Sequence, residues 1–188
     1  MKKFITLSVL LFGIITFSQS KEQKIKEVIT LSDGSKMASS GIQQFINFYK
    51  EKYKELPDSF WSEFLREGDP NNITKLYVPI YSKFFTEAEI DQLIDFYKTP
   101  VGKKMVANMP AIMEGKTDVS KLFTETEMKQ LTVFYKTDAW KKMADNIPAI
   151  MQETKIFAEG LNKRINEKIN NHYGYQSPPP PPPSAPNK

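Results

Sequence analysis

The chain has 188 residues, 26 of them basic and 22 acidic, and 40% of its residues are hydrophobic. This composition fits one ordinary domain with a hydrophobic core. The formal net charge of +4 falls to +2 without Lys2 and Lys3, which is too balanced to indicate nucleic acid or an anionic membrane as a partner. The absence of cysteine excludes disulfides, thiolate metal sites and a cysteine nucleophile.

The chain begins with the three-part pattern of a secretory signal peptide. Lys2 and Lys3 precede an apolar run from Phe4 to Phe17, and small or polar residues follow. The run has 14 residues, whereas a membrane-spanning helix needs about 20, so a cleaved signal is favoured over an uncleaved anchor. We therefore expect export to the periplasm or the medium, with cleavage after Ser18 or Ser20 and no transmembrane segment in the mature chain.

Helices are predicted for the segment that follows the signal peptide. Apolar residues at steps of three and four predict helices over Lys24–Met37 and Pro57–Phe64. Ser40 and Gln43 have the spacing of a capping box, which predicts the start of another helix. The dipeptide Asp69-Pro70 predicts a capped helix with proline at its first position.

An internal repeat follows. Ser82–Met113 matches Ser120–Met151 without a gap at an offset of 38, and 20 of the 32 aligned positions are identical. A period of this length indicates that one supersecondary unit has been duplicated. Each copy is predicted to be a helical hairpin, and the four helices start at threonine caps: Thr86 and Thr99 in the first copy, Thr124 and Thr137 in the second.

Prolines shape the predicted structure of the rest of the chain. Pro110 and Pro148 fall inside the second helix of each copy, where each predicts a kink or a break. Beyond Pro148, apolar residues predict a long amphipathic helix that ends near His172. Six consecutive prolines, Pro178–Pro183, favour an extended and solvated conformation. We expect a disordered tail or spacer there, and the alternative is a ligand for a proline-reading domain.

These patterns together predict an all-α protein. It consists of packed helical hairpins with an internal tandem repeat and a long C-terminal helix. The predicted organisation is a signal peptide at 1–20, N-terminal helices at 21–81, the first repeat at 82–119, the second repeat with the C-terminal helix at 120–173, and a proline-rich tail at 174–188.

Five segments of the chain form a recognisable pattern: Leu56–Trp61, Leu76–Tyr81, Phe85–Glu89, Phe96–Lys104 and Pro110–Met113. In these segments the chain resembles an exported bacterial family called "domain of unknown function 2059" (DUF2059). The resemblance spans roughly Lys24–Met113 and is looser in the second copy, where Asp138 and Trp140 replace Pro100 and Gly102. It implies an all-α exported domain, mainly of Gram-negative bacteria, without an assigned activity. The ring of Trp140 also implies that the two hairpins pack differently at this corner.

A repeated basic pair is the main candidate for a binding surface. Lys103-Lys104 recurs as Lys141-Lys142, off the apolar face of each helix, where it could bind anionic wall polymer or lipid headgroups. A solvated helix face explains the same pattern and is favoured. Tyr97 and Tyr135 could add hydroxyls beside these lysines, although rings at the edge of the core explain both tyrosines.

Little in the sequence indicates catalysis. His172 is the only histidine and lacks an orienting partner, and no phosphate-binding loop, paired-histidine zinc motif or nucleophile elbow is present. The recurring carboxylates lie in first helical turns, where capping and the helix dipole explain them; they are Glu87, Glu89, Glu125 and Glu127. We therefore expect no catalytic residues, no metal and no cofactor.

Three functions remain open. The first is non-catalytic binding of an envelope protein or a cell-wall polymer, which two linked copies and an extended tail suit. The second is a carrier of an apolar small molecule, although ordinary core packing also explains the residues of its pocket. That predicted pocket is lined by Met105, Met109, Met143 and Phe157. The third is a hydrolase that uses a carboxylate pair brought together by folding.

Overall fold

The computed structural model describes residues 19–173, which form helices joined by short turns. The helices are α1 (Lys21–Leu31), α2 (Gly34–Lys52), α3 (Asp58–Glu67), α4 (Pro70–Phe84), α5 (Glu87–Lys98), α6 (Pro100–Met113), α7 (Val119–Leu122), α8 (Glu125–Tyr135) and α9 (Asp138–Tyr173). Within these residues the fold is all-α, so the predicted fold class is confirmed. The apolar run of the predicted signal peptide and the proline-rich tail lie outside the described residues.

The first predicted helix is wrong in its extent. A turn at Ser32 and Asp33 divides Lys24–Met37 between two helices, so that α1 ends at Leu31 and α2 begins at Gly34. Asp33 has a φ of 52°, in the left-handed region, which aspartate adopts more readily than most residues other than glycine. The cluster of serine, aspartate and glycine is a turn signal that outweighs the helical periodicity on either side of it.

The predicted capping box at Ser40 and Gln43 is also wrong. Ser40 lies inside α2, and its hydroxyl accepts a hydrogen bond from the side chain of Gln44. Ser35 and Ser39 are buried on the same helix. The packing of α2 against α1, α3 and α4 therefore decides where this helix begins, and the local capping preference does not.

The helix after Asp69-Pro70 forms as predicted. The Asp69 carboxylate accepts a hydrogen bond of 2.9 Å from the Asn71 N–H, and proline occupies the first position of α4. The preceding helix, α3, runs on to Glu67, three residues beyond its predicted end at Phe64.

Both repeat copies fold as helical hairpins. The first consists of α5 and α6, and the second of α8 and the start of α9. Thr86 and Thr124 form the predicted capping boxes. The hydroxyls of Thr99 and Thr137 each accept a hydrogen bond from the backbone N–H three residues later in the chain. These two caps begin the second helix of each copy.

Neither Pro110 nor Pro148 ends its helix. α6 continues from Pro110 to Met113, and α9 continues through Pro148 to Tyr173. The predicted C-terminal helix is therefore continuous with the second helix of the second copy. A proline removes one helical hydrogen bond. In α9, residues buried on both sides of Pro148, such as Met143 and Leu161, hold the helix together. Although α9 is long, neither it nor any other described helix has the apolar stretch needed to cross a membrane.

Two hydrophobic clusters hold the helices together. The first lies around the two hairpins and α1, and it includes Ile25, Val28, Ile90, Leu93 and Leu131. The second joins α2 and α3 to the C-terminal half of α9, and it includes Trp61, Phe64, Leu161, Ile165 and Ile169. The last helix thus takes part in both clusters and ties the second repeat copy to the N-terminal helices.

Candidate functional site at the repeat junction

The two repeat copies contact each other through two equivalent ion pairs. Lys104 Nζ lies 2.8 Å from Glu127 Oε2, and Lys142 Nζ lies 2.8 Å from Glu89 Oε1. At the repeat offset of 38, Lys142 is the counterpart of Lys104 and Glu127 that of Glu89. Exchanging the two copies therefore turns each ion pair into the other. Such reciprocity defines an isologous interface, here between two parts of one chain related by an approximate two-fold axis.

Phe96 and Phe134 mark the position of this axis. They are counterparts at the repeat offset, so the contact between them maps onto itself when the copies are exchanged. Their ring centroids lie 3.6 Å apart, the ring planes differ by 4°, and both residues are buried. The stacked rings form the apolar centre of what we call the repeat junction, between α5, α6, α8 and the start of α9.

Each glutamate of the repeat junction makes two kinds of contact. Glu89 accepts a hydrogen bond of 2.7 Å from the Thr86 N–H, and Glu127 accepts one of 2.8 Å from the Thr124 N–H. These bonds complete the capping boxes. The same carboxylates also accept hydrogen bonds from a lysine of the other copy. These glutamates therefore join the copies as well as cap their helices.

Both glutamates have a pKa below the ordinary carboxyl value. Burial is the largest influence on Glu89 and raises its pKa, but the hydrogen bonds from Lys142 and the helix cap together outweigh it. For Glu127, the hydrogen bond from Lys104 is the largest influence and lowers the pKa, followed by the backbone N–H at the cap. Both side chains are therefore ionised near neutral pH, when a carboxylate cannot act as a general acid.

An open groove of about 470 Å³ runs along the repeat junction and is lined by both stacked rings. The other lining residues are Gln92, Asp95, Thr99, Pro100, Val101, Gln130, Val133 and Thr137. The two glutamines are counterparts at the repeat offset, and so are the two threonines. The groove therefore follows the approximate symmetry of the junction. Among its lining residues only Asp95 is charged.

The two glutamines give the groove its capacity for hydrogen bonding. Gln92 Oε1 accepts a hydrogen bond of 3.2 Å from the Ala139 N–H, which fixes the orientation of the side-chain amide. The Gln92 amino group keeps two donors without a partner among the described residues. The hydroxyls of Thr99 and Thr137 already donate to backbone carbonyls at 2.7 Å. The carboxamides can thus donate hydrogen bonds to an occupant, and the Asp95 carboxylate can accept them.

The two copies differ most where their surroundings differ. α1 packs on the outer face of α5, where Ile94 is buried, whereas the counterpart on α8, Thr132, is exposed. Lys24 of α1 lies 2.9 Å from Asp91 of α5, and the counterpart of Asp91 is Lys129. Ile94 and Asp91, on the face of α5 that packs against α1, are thus replaced in the second copy by Thr132 and Lys129, which are polar and exposed to solvent.

The corner between the two helices of each hairpin differs as expected. In the first copy, a Cβ on Gly102 would lie 2.1 Å from the Phe96 carbonyl oxygen, so only glycine permits this approach. The second copy has Trp140 instead, and α8 ends at Tyr135, one residue earlier than α5. The Trp140 ring packs on Phe134 and Tyr135, with centroid distances of 5.4 and 4.7 Å.

The structure divides the predicted surface lysines into two classes. Lys104 and Lys142 are partly buried in the ion pairs of the junction, whereas Lys103 and Lys141 are exposed. Lys141 lies 3.6 Å from Asp138 on the same helix. Half of the predicted basic surface is therefore used within the chain, and a binding role for Lys103 and Lys141 stays a prediction.

The two predicted tyrosines lie in different environments. Tyr97 is 8% exposed and belongs to the first hydrophobic cluster, whereas Tyr135 is 37% exposed. Burial raises the pKa of Tyr97 to about 12. Tyr97 therefore offers little surface to a partner, because its ring is part of the core. Only for Tyr135 does the surface role remain a prediction.

The methionines of the predicted carrier pocket are core residues. Met105 and Met143 are buried in the first hydrophobic cluster, and Met109 packs against it. Phe157 is half-buried farther along α9, and none of the four residues lines the groove at the junction. Core packing, the competing interpretation, accounts for these methionines.

The sequence patterns do not identify the residues that line the groove. A signal was present for Gln92 and Gln130, since they recur at the repeat offset but neither cap a helix nor fit its apolar face. Phe96 and Phe134 were assigned correctly to apolar helix faces. Periodicity places a residue on a face but does not say which neighbour that face meets.

A family model described as an uncharacterised protein conserved in bacteria (DUF2059) matches the chain twice, at residues 71–118 and 120–168. The first match begins in α4, so the resemblance does not extend back to Lys24 as expected, and the second copy is matched as a unit of its own. No curated protein and no solved structure matches the chain. Because the two matches together cover more than half of its residues, the chain belongs to the DUF2059 family of bacterial proteins.

Proposed function

We propose that this protein is a non-catalytic binding module of the bacterial cell envelope, and that the groove at the repeat junction takes a short peptide segment of a protein partner. The observation that carries the proposal is a largely apolar groove, open to solvent and lined by residues of both copies. Its volume of about 470 Å³ is typical of sites that bind ligands. The signal peptide predicted from the sequence supports the envelope as the location.

The charges of the groove favour a neutral or basic peptide as the occupant. Asp95 supplies the only charge in the lining, and no lysine or arginine lies there. An anionic wall polymer or a lipid headgroup would meet a carboxylate and no cation, which is unfavourable. Carboxamide side chains such as that of Gln92 both donate and accept hydrogen bonds, as a peptide backbone does.

The shape of the groove favours a peptide over an apolar small molecule. Pockets for small molecules enclose most of the surface of their ligand, whereas this groove is open. The residues of the predicted carrier pocket lie in or beside the core. A carrier role therefore has less support than peptide binding.

The carboxylates at the junction support a structural role over a catalytic one. A hydrolase that uses two carboxyl groups needs one of them protonated, with a raised pKa. Glu89 and Glu127 instead each pair with a lysine and have a lowered pKa. The ion pairs that join the copies thus give Glu89 and Glu127 a structural role that requires no catalysis.

Selection from a random peptide library displayed on phage tests the proposal. We expect the protein to enrich apolar peptides that carry basic residues. The Val133→Arg variant should lose them, since Val133 lines the groove and is 69% exposed. A charge at this exposed position should block the groove without unfolding α8. Ile156→Arg is the matched control, because Ile156 is also an exposed apolar helical residue, at 54%, but lies outside the groove.

Three results would contradict the proposal. One is the enrichment of acidic peptides, and another is the absence of any enrichment. The third is binding that survives Val133→Arg as well as it survives Ile156→Arg. Circular dichroism of both variants should show unchanged helix content, so that a loss of binding reports on the groove.

A further inference from the structure

We infer that the peptide taken by this groove is the proline-rich tail, Ser177–Lys188, of a second copy of this chain. The inference rests on the proposed function and names the partner of the same groove. It would make the protein a self-assembling one, in which each chain offers one tail and one groove.

The chemistry of the tail defines what its receptor must provide. Proline has no N–H, and a polyproline helix forms no internal hydrogen bonds. The segment Pro178–Pro183 therefore offers apolar rings and carbonyl acceptors but no backbone donors. A receptor for such a segment needs an apolar, ring-lined surface with hydrogen-bond donors beside it.

The groove has both of these features. Val133 and Pro100 offer exposed apolar surface, and the rings of Phe96 and Phe134, which are mostly buried, complete the lining. The Gln92 amide has its acceptor occupied by the Ala139 N–H, which leaves its amino group as a donor.

The charges of the tail and the groove also match. Lys188 has the only charged side chain in Ser177–Lys188, and Asp95 is the only charged residue of the groove. The Lys188 ammonium and the Asp95 carboxylate have opposite signs, so a contact between them is favourable.

The length of α9 favours a tail from another chain as the occupant. The groove lies at the start of α9, beside Thr137, whereas the tail follows Tyr173 at its other end. A straight helix of 36 residues is about 54 Å long. The ten residues Gly174–Pro183 reach at most about 36 Å when fully extended. The run Pro178–Pro183 therefore falls short of the groove of its own chain.

A contact of this kind is heterologous, because a tail meets a groove and not another tail. Heterologous contacts generate rings or open chains of molecules. Self-association should therefore increase with concentration, and both the tail and the groove should be necessary for it.

Mixing two defective variants tests the inference. The full chain would be expressed from Met1, purified, and studied by analytical ultracentrifugation over a range of concentrations. We expect the unmodified chain and the Ile156→Arg control to self-associate. A chain lacking Ser177–Lys188 and the Val133→Arg chain should each remain monomeric. A mixture of these two variants should form one-to-one heterodimers, since one keeps a groove and the other keeps a tail.

A synthetic Ser177–Lys188 peptide separates failure of this inference from failure of the proposed function. We expect it to bind the tail-deleted chain in fluorescence polarisation, and to lose binding when Val133→Arg is added. If library peptides bind in a Val133-dependent way but the tail peptide does not, the inference is wrong and the proposed function stands. If neither binds, both are wrong. A monomeric unmodified chain at every concentration also overturns the inference.

Discussion

Ser20 and Gln23 cap the first helix reciprocally. The Gln23 N–H donates to Ser20 Oγ at 3.2 Å, and the Ser20 N–H donates to Gln23 Oε1 at 2.9 Å. Ser20 is therefore a structural residue of α1, and loss of such a cap costs about 1 kcal/mol. Of the two cleavage positions predicted from the sequence, cleavage after Ser18 keeps this cap, and cleavage after Ser20 removes it.

We predict that the mature protein begins at Gln19. Intact-mass measurement of the exported protein gives its first residue directly. A mass that corresponds to a start at Lys21 would show that the cap does not matter to the choice of cleavage site. A mass that retains Met1–Phe17 would show that no signal peptide is removed.

Exchange of residues should affect stability strongly on the outer face of the first copy and little on that of the second. Ile94→Thr places a hydroxyl in a buried site against α1 and should lower the free energy of unfolding by about 2 kcal/mol. Thr132→Ile, at the exposed counterpart, should change it by less than about 0.5 kcal/mol. Chemical denaturation of both variants measures the difference. Equal effects at the two positions would mean that α1 does not distinguish the copies.

Features encoded within a few residues could be predicted from the sequence. Thr86 and Thr124 start their helices because the capping box requires only the residues of one turn. The tandem repeat likewise follows from the sequence compared with itself. The helical hairpins could therefore be predicted without knowing which elements pack against them.

Features that depend on distant residues could not be predicted. Lys104 and Glu127 are 23 positions apart, and Lys142 and Glu89 are 53 apart, so helical periodicity gives no sign that they meet. The repeated lysines were consequently interpreted as surface residues. The length of α9 was missed for a related reason: Pro148 predicts a kink or a break locally, and packing along the helix keeps it continuous.

The junction ion pairs should stabilise the fold in a pH-dependent way. Glu127→Gln removes the charge but keeps the capping box, which accepts glutamine, and it should lower the melting temperature by a few degrees at neutral pH. The pKa of Glu127 lies below its ordinary value of 4.5. The contribution of the ion pair is therefore fully present above about pH 4.5 and is lost as the pH falls through the folded-state pKa.

Melting temperatures of the wild type and Glu127→Gln between about pH 6 and pH 3 measure this dependence. The gap between the two proteins should close as the pH falls. Glu125→Gln is the matched control, because Glu125 lies in the same first turn but pairs only with Lys129 within α8. A gap that stays constant would mean that the charge of Glu127 does not contribute to stability, and an equal effect of Glu125→Gln would mean that the helix dipole and not the junction is responsible.

Deleting Ser177–Lys188 should leave the melting temperature of the dilute protein nearly unchanged. The run Pro178–Pro183 falls short of the groove of its own chain, and an extended polyproline segment buries little surface on its own. Differential scanning calorimetry at low concentration measures the change. A fall of more than about 5 °C, on the order of 1 kcal/mol or more for a domain of this size, would indicate that the tail contacts its own fold.

Tyr97 should make the fold sensitive to alkaline pH. Burial raises its pKa to about 12, whereas the phenol of an unfolded chain ionises at about 10. A raised folded-state pKa means that the contribution of the protonated phenol is fully present below about pH 10 and is lost as the pH rises towards 12. Tyr97→Phe removes the ionisable group, so the variant should lose less stability than the wild type between these pH values.

Tyr135→Phe, at the more exposed counterpart, should have a smaller effect on this dependence. Ultraviolet absorbance of the phenolate during the titration, with melting temperatures at each pH, tests the prediction. If Tyr97 ionises near pH 10 in the folded protein, its ring does not lie in the first hydrophobic cluster.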